Sequence, residues 1–400
     1  MYNVRKVTED ITWIGASDRR LALFENIFPI PRGVSYNAYI LEDEKTVLLD
    51  TVDAAVAGQF FENLEHVLAG RDLDYLVVNH MEPDHCAMIG DIVRRYPDVK
   101  VVGNAKTFTM MQQFFGTDFS ERAIVVKEGD TLSCGKHTLH FVMAPMVHWP
   151  EAMVTYDAKD QVLFSADGFG TFGALNGNIF ADEVDFDRDW LDDARRYYTN
   201  IVGKYGTSVQ ALLKKASSLE IKMICPLHGP VWRENLGYIL EKYQKWSTYE
   251  AEDNAVVIMY ASMYGNTASA ADALAGRLAE KGIKKIAVYD VSNTHVSELI
   301  SEIFRASHLV FATPTYNGGI YPVMDNLLHD MKALAVQKKT VAFMENGTWA
   351  AVTAKQMRAA VEEMKDMTIL EPQVTIKSAM HEDQKEELEV LADAIAESIK

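Results

Sequence analysis

Residues 80–85, HMEPDH, put four metal-ligating side chains into six positions: His80, Glu82, Asp84 and His85. Crowding two imidazoles and two carboxylates this closely is electrostatically costly unless a cation holds them together. Three more candidates lie downstream, His148, Asp167 and His228. Taken singly, each has an ordinary reading. A histidine after a strand is most often a hydrogen-bonded loop residue, Asp167 is suited to capping a turn, and Glu82 and Asp84 read as solvated loop acids. Taken with the first segment, they read as one constellation of imidazole nitrogen and carboxylate oxygen. His66, His137, His140, His295, His308, His329 and His381 have no comparable company and are read as ordinary. None of the three cysteines, Cys86, Cys134 and Cys225, joins the set.

A second chemistry appears further along. Ser262, Met263, Tyr264, Gly265, Asn266 and Thr267 (SMYGNT) lie between an apolar run and a helical stretch. Short polar side chains and converging amides at a helix start suit an anion such as a phosphate. Alone, the hexapeptide is also a good helix cap. Two later segments strengthen the binding reading. Pro314, Thr315, Tyr316, Asn317, Gly318 and Gly319 follow one apolar run, and Asn346, Gly347, Thr348, Trp349 and Ala350 follow the next. Tyr316 and Trp349 offer faces for a flat ring such as an isoalloxazine, and the glycines let the backbone approach its polar edge. No G-x-G-x-x-G fingerprint occurs here, which disfavours NAD or FAD in this half.

The elements that must position these residues differ between the two halves. The first reads as short strands with scattered helices: SYNAYIL, TVLLD, LDYLVVN, KVVG, LHFVMAP, QVLFSAD and IKMICP, with helical periodicity in 54–70, 105–115 and 234–249. His80, His148, Asp167 and His228 each follow one of these strands, so strand ends sharing one edge would assemble them. The polar stretch AEDN marks a boundary, giving expected domains at 1–252 and 253–400. Beyond it, strands AVVIMY, KIAVYD, HLVFAT and TVAFME alternate with helices, followed by a strand near TILEPQVTI and a helix from 382 to 399. Alternation of this kind implies a parallel sheet with helices on both faces, and the three binding loops then fall at strand carboxyl ends.

Composition narrows the class. The net charge of −18 over 400 residues argues against nucleic acid or an anionic membrane as a partner. No apolar run reaches the ~18 residues of a membrane span, and MYNVRKVTED lacks the apolar core of a secretory signal. An odd number of cysteines without C-x-x-C pairing suits a reducing cytoplasm.

The ligand order resembles the metallo-β-lactamase fold, an αββα sandwich whose motif commonly reads H-x-H-x-D-H, with Glu82 standing at the second histidine. Residues 254–400 resemble a flavodoxin, whose ligand is FMN. In this order the two halves together resemble the flavodiiron proteins over essentially the whole chain: an αββα sandwich (α+β), then a doubly wound α/β sheet. The resemblance implies one iron at His80, Glu82, His148 and Asp167. It implies a second at Asp84, His85, His228 and the shared Asp167, with His85 the ligand in which relatives differ. Three carboxylates and one hydroxide would balance two ferrous ions, and hard oxygen ligands accommodate the ferric state. A diferrous centre and reduced FMN together hold four electrons, enough to reduce O2 to water; coupling two NO to N2O needs two.

The resemblance further implies a rubredoxin or similar external electron donor. It also implies a head-to-tail homodimer, or a tetramer built from it, that sets the FMN of one subunit against the irons of the other. Tyr36, Asn37, Trp149 and Pro150 are placed either to shape the metal pocket or to pack the sandwich edge. Some relatives carry a histidine in the segment where this chain has Glu25 and Asn26. Two rivals come from other classes. One is a zinc hydrolase with a flavodoxin-like docking module, disfavoured by Glu82 and the three flavin loops. The other is an electron carrier with a structural or gas-sensing first domain, disfavoured by the complete ligand set.

Overall fold

In the first half, β-branched and apolar runs ended by turn residues form two large sheets and two small two-stranded ones. The computed structural model describes residues 1–399. The larger sheet has seven strands, in the order Arg5–Lys6, Ile11–Trp13, Tyr39–Glu42, Thr46–Leu49, Tyr75–Val77, Lys100–Gly103 and Ala123–Val125. The smaller has five, in the order Thr131–Ser133, Thr138–Met143, Met153–Asp157, Val162–Phe164 and Met223–Cys225. Leu41, Leu49, Val77 and Val102 of the first join Leu139, Phe141, Phe164 and Cys225 of the second in one buried core, which makes the pair a sandwich. Burying each such side chain contributes about 1.5–3 kcal/mol, and this is what fixes the sheets face to face.

Direction matters more than strand count for the site. Thr138–Met143 and Val162–Phe164 each run antiparallel to Met153–Asp157, and Val162–Phe164 runs parallel to Met223–Cys225. Those three strands therefore share a direction, and the segments leaving their carboxyl ends carry His148, Asp167 and His228. Tyr75–Val77 of the other sheet leads into His80. The end of HMEPDH runs into a single helical turn, Pro83–Cys86, with Pro83 at the first helical position where its missing N–H costs nothing.

The chain separates into two compact units, Met1–Tyr198 with Thr207–Tyr243, and Thr199–Gly206 with the remainder from Gln244 onward. The sequence-based limit at 252/253 falls in the connection between helix Leu236–Thr248 and strand Asp253–Tyr260.

The second unit has five parallel strands in the order Ile286–Asp290, Asp253–Tyr260, Ala306–Tyr316, Thr340–Asn346 and Thr368–Ile376. Period-2 alternation sends Val257 and Met259 into one core and Val256 and Ile258 into another. Helices Val296–Arg305, Pro322–Ala333 and Thr353–Glu362 cover the first; Asn266–Glu280 and Lys385–Ser398 cover the second. Residues 382–384, expected within the last helix, form a separate 3-10 turn ahead of it. The strand order reverses at Asp253–Tyr260, and ligands of open α/β sheets bind outside the strand carboxyl ends at such a point. Among the described residues, no helix is long and apolar enough to cross a membrane.

Candidate metal centre and cofactor cradle

The three strand ends and the HMEPDH turn bring all seven candidate ligands into two adjoining groups. His80, Glu82, His148 and Asp167 form one and Asp84, His85 and His228 the other, with ligand atoms inside each group within 4.8 Å of one another. Asp167 faces both. Its Oδ2 lies 3.1 Å from His148 Nε2 and 3.4 Å from His80 Nε2, and its Oδ1 lies 3.2 Å from His85 Nε2 and 3.7 Å from His228 Nε2. Ala166 and Phe169, either side of it, have left-handed backbone (φ 50° and 67°), so the loop holding this carboxylate is strained in place.

The imidazole tautomers show what the centre is built to hold. Nδ1 of His228 lies 2.7 Å from the Ser35 carbonyl, which can only accept. Nδ1 of His80 lies 2.8 Å from Glu151 Oε1, which also accepts the Met81 N–H at 2.8 Å. Both rings therefore donate from Nδ1 and, when neutral, aim an Nε2 lone pair at the centre. Those lone pairs meet other electron pairs. His80 Nε2 is 3.3 Å from Glu82 Oε2, and His228 Nε2 is 3.3 Å from Asp84 Oδ2 and 3.0 Å from His85 Nε2. Asp84 Oδ1 and Oδ2 and Asp167 Oδ1 are buried without a hydrogen-bond partner among the described residues. Such a set is repulsive until a cation sits in each group, so the residues fit two metal ions.

With protons alone, the same charges must balance differently. Burial opposes charge on His80, His85 and His148, but the carboxylates outweigh it and raise all three, His148 to about 9. Burial likewise opposes charge on Asp167 and Glu82, yet the imidazoles hold both below the usual carboxylate range. Metal ions would take the place of those protons. Glu25 opens the three-residue connection between paired Phe24 and Phe28, in which it and Asn26 are both left-handed (φ 49° and 56°). Burial of its carboxyl and the neighbouring Glu82 charge push it up to about 8.

Of the four residues with two open readings, Asn37 stands behind a candidate ligand. It accepts from Trp13 Nε1 at 2.9 Å and donates to the Pro226 and Gly229 carbonyls at 2.9 Å each, so it clamps the loop that carries His228. The rings of Tyr36 and Trp149 stand against two candidate ligands, 5.8 Å from His228 and 5.4 Å from His80 between centroids. The Pro150 carbonyl accepts from Lys106 Nζ, at 3.4 Å. Sequence reasoning missed Glu151 and the Ser35 carbonyl; the one available signal was an acid three residues after His148, in HWPE. His137, read as ordinary, is fully buried between Asp157 (3.0 Å) and Asp10 (3.2 Å). There Lys159 Nζ, 3.1 Å from its Nε2, already supplies the positive charge.

In the second unit the three loops enclose a cavity of about 620 Å³, within the range of small-molecule sites. It is lined from the first loop by Ser262, Met263, Tyr264, Asn266 and Thr267, and from the second by 314–318. All of 346–350 complete it. Gly265 and Gly319 lie outside the lining. Gly265, at φ 95°, makes the turn into helix Asn266–Glu280, and Gly319 pairs with Tyr316 to close the Asn317–Gly318 hairpin. Gly347 is needed for space: a Cβ there would come within 2.0 Å of the Ala350 carbonyl oxygen. Ser378, past the fifth strand, was missed; it lines the cavity and donates from its N–H to Asn346 Oδ1 at 3.1 Å. Tyr264 and Trp349 are 93% and 94% exposed, so two broad aromatic faces stand free at the cavity rim.

Comparison with known proteins bears on both sites at once. Residues 34–229 match the ODP family beta lactamase and residues 258–389 match flavodoxin. Rubredoxin oxygen:oxidoreductase from Desulfovibrio gigas superposes with a TM-score of 0.91 at 30% identity, over 99% of this chain and 98% of that one. The flavodiiron protein of Giardia intestinalis shares the fold, with a TM-score of 0.92 at 24% identity over 100% and 99% of the two chains. The anaerobic nitric oxide reductase flavorubredoxin of Escherichia coli is 31% identical over 363 residues, 89% of this chain and 75% of that protein. The chain belongs to the flavodiiron proteins. As a flavodiiron oxidoreductase it has a metallo-β-lactamase-like first domain and a flavodoxin-like second one, and its cofactors are a diiron centre and FMN.

Proposed function

We propose that this chain reduces O2 to water, NO to N2O, or both. The irons would be held by His80, Glu82, His148 and Asp167 and by Asp84, His85, His228 and Asp167, and FMN by the three-loop cradle with Ser378. The observation that carries the reading is Asp167, which presents one carboxylate oxygen to each ligand group. When bound, the iron pair and FMN supply the electrons, four for O2 or two for NO coupling. The chain's own work is positional. Glu151 and the Ser35 carbonyl hold His80 and His228 in the tautomer that presents Nε2 inward, and Asn37 fixes the loop behind His228. Phe24 and Phe172 line the His228 side with apolar rings, which keeps bulk water away from the ligands and suits small uncharged gases.

Two relatives of nearly equal identity carry different gases in their names, and both substrates are retained for that reason. The same names support a rubredoxin-type electron donor. The exposed Tyr264 and Trp349 rings at the cradle rim support a head-to-tail homodimer in which the partner covers the flavin. Three buried, unpaired cysteines are consistent with work in a reducing cytoplasm. Anaerobic stopped-flow oxidation of the fully reduced protein by O2 and by NO tests the proposal. Rapid flavin oxidation by at least one gas is expected, and inertness toward both would refute it.

A further inference from the structure

We infer that Glu345 lowers the redox potential of the bound flavin, as a fixed negative charge under the third cradle loop that opposes the charge of reduced FMN; this rests on FMN occupying the three-loop cavity. Glu345 is the next-to-last residue of strand Thr340–Asn346 and directly precedes the cavity-lining run 346–350. It is only 5% exposed. Strand alternation sends its side chain to the face opposite Asn346, whose amide donates to Thr267 Oγ1 and the Ser378 carbonyl. Glu345 reaches instead toward helix Thr353–Glu362 and the fifth strand. Its Oε2 accepts the Ala354 N–H and its Oε1 accepts the Thr375 hydroxyl, at 2.9 Å each. The loop leaves the sheet at Glu345 and comes back to it at Ala354, so one carboxylate ties both ends.

A tie alone does not need a charge. Both partners are neutral donors, which an amide oxygen would satisfy as well, and burying a carboxylate costs more than burying an amide. The helix start offsets part of that cost: its first turn carries no acid of its own, and its amides favour a negative charge placed there. Neither partner is a cation that would cancel the charge, and in buried surroundings its field carries further than it would in water. Reduction places charge in the same region. Two electrons and one proton turn the neutral flavin ring into an anion, FMNH−, deprotonated at N1. A buried carboxylate under the loop therefore weakens binding of the reduced form relative to the oxidised one, which lowers the potential. The flavin then passes its electrons on with a greater driving force.

Glu345→Gln keeps the length of the side chain and an oxygen for the Ala354 N–H, and removes the charge. Reductive titration of the full-length, iron- and FMN-loaded protein with dithionite against indicator dyes, followed at the flavin absorption band, reads the potential. In Glu345→Gln the affinity for reduced FMN relative to oxidised FMN should rise about tenfold, a positive shift of about 30 mV for this two-electron couple. A loosened loop weakens both forms alike and leaves the potential where it was. Thr375→Val keeps the charge but removes the O–H that partly offsets it, so its potential should move the other way, by less. An unmoved or lowered potential in Glu345→Gln would overturn the role. So would an unmoved or raised potential in Thr375→Val, a result that leaves the buried carboxylate in place and does not need Glu345→Gln to fold. A wild-type protein that takes up no FMN would instead refute the flavin reading itself, and the Glu345 role with it.

Discussion

Glu151 Oε1 lies 2.8 Å from Nδ1 of His80 and accepts the Met81 N–H at the same distance, so one buried carboxylate fixes both the ring and the backbone at the start of the ligand segment. Removing its charge should loosen the metal without touching a ligand. Glu151→Gln is expected to lower metal affinity by about 10–100-fold while FMN content stays at the wild-type level. Competition with a graded series of chelators measures this. Unchanged affinity would mean that the pair is only packing.

Asp167 spans both ligand groups through its two oxygens. Asp167→Asn replaces one charged oxygen by an amide nitrogen that cannot ligate, so both irons should bind more weakly. Iron content after gel filtration is expected to fall for the pair together. Retention of full iron would contradict the shared role, and loss of only one iron would restrict Asp167 to a single group.

Gly347 and Trp349 test the cradle in different ways. Gly347→Ala drives a Cβ into the Ala350 carbonyl, which belongs to the backbone and cannot swing aside, so the loop must move. FMN affinity should drop at least about tenfold, a cost of ~1.4 kcal/mol, with iron content unaffected. Trp349 is exposed, and Trp349→Ala removes only a stacking face worth about 0.5–1.5 kcal/mol. Its effect on flavin titration should be the smaller of the two. The reverse order would displace the ring from this loop.

Lys339 makes the second unit's stability depend on pH. Its Nζ is buried and donates to the Phe304 and Ala306 carbonyls at 2.9 Å each, at the end of helix Val296–Arg305. Burial lowers its pKa from 10.5 to about 7. Below pH 7 both folded and unfolded chains hold the proton, and the cost of burying the charge is constant. Between about 7 and 10.5 the unfolded chain binds more protons than the folded one, so this contribution to stability rises with pH. Lys339→Met lacks the contribution. The Tm difference, wild type minus variant, should therefore move in favour of wild type between pH 7 and about pH 9. A flat or falling difference would count against a neutralised lysine.

The sequence showed the second unit most clearly, because strands and helices in strict alternation carry separate periods of 2 and 3.6. The seven candidate ligands were legible as a group because imidazoles and carboxylates crowded behind a strand repel one another unless a cation joins them. What stayed hidden acts through the fold alone. MVTYD, the strand Met153–Asp157, is short and follows the His148 loop without a sharp turn signal, although it orients its neighbours on both sides. The Ser35 carbonyl is backbone, which every residue has, so no side-chain pattern announces it. Ser378 reaches the three-loop cavity because the fifth strand ends beside the fourth.

The central claim is that two ligand groups sharing Asp167 hold a pair of irons in a chain that also carries FMN. Metal and flavin quantification of anaerobically purified protein tests it most directly. About two irons and one FMN per chain, with the irons magnetically coupled in the Mössbauer spectrum, is the predicted result. Zinc in place of iron, or irons that behave as two isolated ions, would contradict it.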